Sequence, residues 1–280
     1  MSGRHALVIT ELTSGSGLIG LYLLRLERNS TMLGLDMDPE ALLVETANAE
    51  LLGLSRRARF TRANLWSRNT ENVLRREKPQ LLVCNPPYIP EPPGEKLPAE
   101  AGAGPRGTAH IMRTLDIART LRPRALALSW CSLADPEHVV GEAEKSGYTL
   151  NSLFIAAVAD GEYSGGVGSY LRGLDTAFLN DAPETLKVVA PDGSASFAYL
   201  LMAGEFSRAD AGPRRRGFKA SEQVRTICSR FARRGIITLA SIESSESSLP
   251  VRCWLLDRWD ELRLRAFLHG SVSIMTTTLA

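Results

Sequence analysis

The chain has 280 residues, 44% of them hydrophobic and 23% charged, with a formal net charge of +2 at pH 7. That is long enough for one sizeable domain with an appendage and close to the soluble globular average, which excludes a disordered or fibrous chain. No apolar run approaches the roughly 20 residues that span a bilayer, and the N-terminus lacks the features of a signal peptide, so a cytoplasmic protein with no membrane contact is expected.

The first apolar, β-branched run, residues 6–10, reads as a buried strand ahead of a glycine-rich turn, and residues 18–27 read as a helix. A second strand at 32–35 ends at Asp36, and Pro39 opens a helix toward Leu51 as a proline in the first helical turn. A strand at 58–61 and a helix at 70–76 precede another apolar strand at 81–84. That strand stops at Asn85-Pro86-Pro87-Tyr88, where two prolines remove donors and force extended backbone. The following stretch, 91–106, is rich in Pro, Gly and Ala and reads as a mobile loop, a candidate lid.

A helix at 107–122, a strand at 125–130 and a helix at 136–146 follow, and 148–158 and 197–203 read as the last two strands. This alternation implies an α/β fold with a mostly parallel sheet covered on both faces. The Gly-rich segment 160–192 shows no usable period. After a linker at 207–217, residues 221–234 place Val224, Ile227, Cys228 and Phe231 on one helical stripe, and a hairpin (236–241 with 251–255) and a helix at 257–268 are expected. Four scattered cysteines, Cys84, Cys131, Cys228 and Cys253, with no C-x-x-C pair, point away from disulfides and from any metal site.

Two stretches carry chemistry. Glu11-Leu12-Thr13-Ser14-Gly15-Ser16-Gly17-Leu18-Ile19-Gly20 follows the first strand, opens a helix and satisfies G-x-G-x-x-G. Its glycines permit a tight turn and close approach of an adenosine-bearing ligand, and Asp36 closes the second strand where its carboxylate can accept from both ribose hydroxyls. A nicotinamide dinucleotide and S-adenosylmethionine both fit. Glu11 favours the second, since an acidic group there repels a pyrophosphate and can hydrogen-bond the ammonium end of a methionine.

With Asn85-Pro86-Pro87-Tyr88 in the same chain, the layout resembles the amino-methyltransferases that carry this motif, especially the protein-glutamine N5-methyltransferases of peptide-chain release factors. ELTSGSGLIG, LGLDMDPEAL, ARFTRANLW and LLVCNPPYIP stand in the family order, between Ala6 and Pro90. The resemblance implies a Rossmann-like class I methyltransferase fold with a mostly parallel seven-stranded sheet over residues 1–206, a linker at 207–220 and a small basic α+β extension over 221–280. It implies S-adenosylmethionine held by Glu11, Thr13, Gly15, Gly17, Asp36, Met37, Asn64, Leu65 and Asn85. Catalysis would fall to Asn85, Pro86 and Tyr88.

Those residue types suit the reaction. An amide or aromatic amine nitrogen is a poor nucleophile, so the site must aim it at the methyl group; the Asn85 side-chain oxygen and the Pro86 carbonyl can accept its two N–H bonds while Tyr88 packs on the planar group. Hydrogen bonds that strengthen as positive charge grows on nitrogen favour the transition state. Three departures stand out: Thr13 replaces the first glycine of the loop, Asn64 replaces an adenine-binding Asp, and the first strand begins within a few residues of Met1, without the helical front domain that docks the release factor.

Residues 214–280 hold twelve Lys/Arg against six Asp/Glu, a surplus of six that leaves about −4 for the rest. Arg214, Arg215, Arg216, Lys219 and Arg225 are candidates for contact with RNA, a ribosomal surface or an acidic protein, or form a merely solvated face or a dimer contact. A protein glutamine is the first substrate expectation, with adenine N6 in RNA or DNA and a free small molecule as alternatives using the same chemistry. An NAD-dependent oxidoreductase or a non-catalytic scaffold remain the readings of another class.

Overall fold

The computed structural model describes residues 6–180, 197–208, 219–234 and 252–255. The chain opens with β1 (Val8–Leu12), α1 (Leu18–Leu26), β2 (Thr31–Asp36), α2 (Pro39–Leu51), β3 (Ala58–Arg62), α3 (Arg68–Glu77) and β4 (Leu81–Cys84). It continues through α4 (Ala109–Leu121), β5 (Ala125–Cys131), α5 (Pro136–Lys145) and β6 (Tyr148–Ala159). Two short helices, α6 (Glu162–Gly166) and α7 (Gly168–Arg172), precede β7 (Phe178–Leu179), β8 (Ala198–Arg208), α8 (Ala220–Arg234) and β9 (Arg252–Leu255).

The sheet order is β3-β2-β1-β4-β5-β8-β6-β9, with β7 beside β8. β1 to β5 run parallel, β8 lies antiparallel to β5, β6 and β7, and β9 runs parallel to β6. This is the expected Rossmann-like α/β fold. It has two more strands than the seven expected: β7 comes from the segment whose sequence shows no period, and β9 joins the sheet edge through β6. The first strand of the expected hairpin, 236–241, and the helix at 257–268 lie outside the described residues.

β1, β2 and β4 read as near-continuous apolar runs because both of their faces are covered. On one face Ile9, Met32 and Val83 pack under Leu21 and Leu24 of α1. On the other, Leu12, Leu33, Leu82 and Leu126 join α4, α5 and α8 in a larger core around Trp130 and Phe206. Val224, Ile227, Cys228 and Phe231 of α8 enter this core as the helical stripe requires, and Phe231 is fully buried. Glu144 of α5 fixes the start of α8, accepting from the Ala220 amide at 2.9 Å and the Ser221 hydroxyl at 3.3 Å.

The strand order runs outward from β1 in one direction and from β4 in the other, so a crevice opens between their carboxyl ends. The turns after β1, β2, β3 and β4 all meet there.

Candidate active site

At the rim of that crevice Asp36 ends β2 half-buried, and its carboxylate accepts from the Gly15 amide and the Asp38 amide, each at 2.9 Å. The Gly15 bond anchors the glycine loop to β2. Space above the loop is open: a Cβ built on Gly15 would meet nothing within 4 Å. Gly15 and Gly17 both have left-handed backbone, at φ 57° and 70°. Thr13 shares that conformation at φ 50°, which costs a β-branched residue strain. Its hydroxyl donates to the Leu12 carbonyl at 2.6 Å and lies 3.3 Å from the Asn85 carbonyl oxygen, bridging the ends of β1 and β4.

Asn85 is exposed while Pro86 and Pro87 are buried, so the turn holds the side-chain amide out over the crevice on a fixed base. Tyr88 is half-buried, and burial, with Cys131 and Tyr199 adding to it, pushes its phenol above the ordinary range. The hydroxyl is therefore neutral at any physiological pH.

Next to β2, the Ala63 amide donates to the Asp36 carbonyl at 2.6 Å, bringing the end of β3 alongside. The Asn64 side-chain oxygen accepts from the Trp66 amide at 2.9 Å, so one of its lone pairs serves its own turn. Leu65 is buried and its carbonyl accepts from Arg113 at 2.8 Å; Met37 is exposed and its carbonyl accepts from Arg62 at 3.0 Å. Asn85, Thr13, Gly15, Asp36 and Asn64 thus form one row along the carboxyl edge of β4, β1, β2 and β3.

Glu11 stands apart from that row. It is 2% exposed and its carboxylate accepts from the Gly20 amide at 2.9 Å, beneath the loop rather than toward the crevice. Gly20 permits this because a Cβ there would come within 2.6 Å of the same oxygen. Burial pushes the carboxyl up to about 8, against the Gly20 hydrogen bond, with Glu45 and Asp36 adding to the rise. It is mostly protonated at neutral pH, so the charge expected to repel a pyrophosphate is largely absent.

The segment 91–106, expected to be mobile, is pinned instead. The Ile89 amide donates to the Ala101 carbonyl at 2.9 Å, the Ala103 amide donates to the Ile89 carbonyl at 3.1 Å, and the Glu91 carboxylate accepts from the Leu97 amide at 3.0 Å and the Gly104 amide at 2.6 Å. Gly107, at φ 68°, lets the loop pass directly against the Tyr88 carbonyl, where a Cβ would collide. Sequence patterning missed these contacts because one acidic side chain organises a stretch that composition alone marks as a breaker.

Arg214, Arg215 and Arg216 lie outside the described residues. Lys219 is exposed ahead of α8, and Arg225 is 3.6 Å from Glu137 of α5, a weak surface ion pair. Cys84, Cys131 and Cys228 are buried free thiols. Among the described residues there is no helix long and apolar enough to cross a membrane and no acidic, His or Cys group able to hold a metal. One further residue escaped sequence reasoning: Trp66, 54% exposed beside Asn64, stacks edge-on against His110 of α4 with ring centroids 4.6 Å apart.

No family model matches the chain. It is similar to three curated proteins named release factor glutamine methyltransferase. It shares 40% identity over 82 residues with the one from Rhodospirillum rubrum, 29% of this chain and 23% of that protein. With the one from Moorella thermoacetica it shares 35% over 98 residues, 35% of this chain and 33% of that protein. The matches therefore span a third or less of the curated relatives' length. Similar solved structures include the Mtq2-Trm112 complex of E. cuniculi, described as methylating the eRF1 termination factor, at 18% identity over 72% of this chain and 87% of that one, TM-score 0.39. A SAM-dependent methyltransferase from Agrobacterium tumefaciens matches at 12% identity over 75% of this chain and 58% of that one, TM-score 0.42.

Proposed function

We propose that this chain is an S-adenosylmethionine-dependent N-methyltransferase acting on a planar amide nitrogen, with a protein glutamine side chain as the acceptor. The observation that carries the reading is the joining of two turns. Asp36 holds the glycine loop at Gly15, and the Thr13 hydroxyl of that loop lies 3.3 Å from the Asn85 carbonyl oxygen, so the glycine loop and the Asn-Pro-Pro-Tyr turn, with Asn85 exposed, share one crevice. The similarity to release factor glutamine methyltransferases supports the choice of acceptor.

The residues present fit the cofactor. The open space over Gly15 admits a ribose against the backbone, Asp36 retains lone pairs for its hydroxyls, and exposed Met37 offers an apolar flank to the adenine. When bound, the cofactor supplies an electrophilic methyl group on a sulfonium. Asn85 and the Pro86 carbonyl then accept the two N–H bonds of the acceptor, turning its lone pair out of conjugation, and their pull grows as nitrogen becomes positive. The buried prolines keep both acceptors in place without reorganisation. The released proton passes to water.

Replacing Asn85 by alanine tests this. With a release-factor glutamine peptide as acceptor, Asn85→Ala is expected to lower kcat by about a hundredfold or more while cofactor Kd stays within about threefold. Equal losses in both contradict the assigned role.

A further inference from the structure

The turn after β3 is held from two sides. Within its own segment, the Asn64 carbonyl accepts from the Ser67 amide at 2.9 Å and from the Thr70 hydroxyl at 2.6 Å, and the Ala63 amide ties the turn to the end of β2 at Asp36. From α4 comes a second hold: Arg113 Nε donates to the Leu65 carbonyl at 2.8 Å, and its Nη2 donates to Glu71 Oε1 of α3 at 2.7 Å. The Arg113 side chain is only 18% exposed. A planar guanidinium engaged on two partners at once has little freedom left, so the Leu65 carbonyl is fixed in both distance and direction.

α4 makes three contacts of this kind from one face, because residues three and four apart lie side by side on a helix. His110 packs its ring edge-on against Trp66 with centroids 4.6 Å apart, Arg113 holds Leu65, and Thr114 donates to the Cys84 Sγ at 3.3 Å, immediately before Asn85. The segment entering α4 is itself set against the Asn-Pro-Pro-Tyr turn, since Gly107 passes the Tyr88 carbonyl too closely for any Cβ. In the sheet, β2 and β1 separate β3 from β4. α4 therefore touches the turn at each flank of the crevice, and Arg113 is the fork that reaches the far one.

We infer that Arg113 is a positioning residue for the cofactor: it fixes the 64–66 turn beside the Asp36 rim, and so sets cofactor affinity without touching the cofactor. This deepens the methyl-transfer reading and rests on its assignment of the crevice to S-adenosylmethionine. Asn64 and Trp66 are exposed on either side of buried Leu65, so a shift of that one carbonyl carries both side chains with it. The effect falls on binding rather than on the chemical step, because the Asn85 turn keeps its own supports at Thr114 and Gly107.

The test titrates the full chain calorimetrically with S-adenosylmethionine and with its demethylated product, and follows turnover of a release-factor glutamine peptide at saturating cofactor. Arg113→Met keeps the aliphatic stem and removes every donor. Glu71→Ala breaks the same ion pair but spares the bond to Leu65. The expected result is a Kd for both ligands raised about tenfold in Arg113→Met and less than about threefold in Glu71→Ala, with similar Tm in the two variants and kcat within about twofold of the parent. Arg113→Lys, whose single ammonium cannot reproduce the fork, should fall between the parent and Arg113→Met. If Arg113→Met fails to fold, the lysine variant decides, and a Kd equal to the parent's overturns the assignment. So does an unchanged Kd in Arg113→Met, an equal rise in Arg113→Met and Glu71→Ala, or a kcat that falls along with the affinity. In each of those cases a parent that binds both ligands leaves the cofactor reading standing; a parent that binds neither overturns that reading and this inference together.

Discussion

Thr13 occupies left-handed backbone at φ 50° where a glycine would sit without strain, and its hydroxyl donates to the Leu12 carbonyl while lying 3.3 Å from the Asn85 carbonyl oxygen. The conformation costs a residue with a Cβ about 1–2 kcal/mol, and the hydrogen bond to Leu12 returns about 1 kcal/mol of it. Thr13→Gly removes both, so the stability of the fold is expected to move by no more than about 1 kcal/mol. Cofactor affinity is expected to rise severalfold, because the side chain leaves the floor of the loop. Calorimetry on the variant checks this, and weaker binding would show that the Thr13 bridge shapes the site. Thr13 and Asp36 were legible from the motif alone. The direction of Glu11 was not: a strand buried on both faces gives no clue to which side an acidic residue takes, and only the packing of α1 decides it.

Among elements, α2 brings a second buried carboxylate under the same loop. Glu45 is fully buried, and burial pushes it up to about 7, opposed by the Ser14 hydroxyl and reinforced by the charge of Asp36. Glu11 lies at about 8 from the same cause. For both groups the folded state holds its proton above the pH at which the unfolded chain, near 4.5, releases it. The folded protein therefore binds more protons between about pH 4.5 and 8, and stability falls as pH rises through that window. Glu45→Gln removes one of the two titrations. Relative to the parent, it is expected to gain about 5 °C in Tm at pH 8 and much less at pH 5.5, by thermal unfolding. Parallel profiles for the two proteins would mean that Glu45 is charged in the fold at no cost. The helix itself was readable to its ends, because Asp38 caps it, accepting from the Glu40 amide at 2.9 Å, and Pro39 starts it. By contrast α6 and α7 have five residues each, too short for a 3.6-residue period to show.

For the molecule as a whole, the parallel half of the sheet was legible because each strand is an apolar run stopped by a turn signal: Asp36 with Pro39, or the two prolines after Cys84. The antiparallel half was harder. β8 was seen at 197–203 but extends to Arg208, and its place between β5 and β6 follows from register rather than from any local signal. The account depends on the carboxyl edge of β1, β2 and β4 being a site for S-adenosylmethionine. The most direct measurement is calorimetric titration with S-adenosylmethionine, its demethylated product and NAD in parallel, repeated on Asp36→Ala. Micromolar binding of the first two, lost or weakened at least tenfold in the variant and absent for NAD, is the predicted result. Binding of NAD alone, or of none of the three, would contradict it.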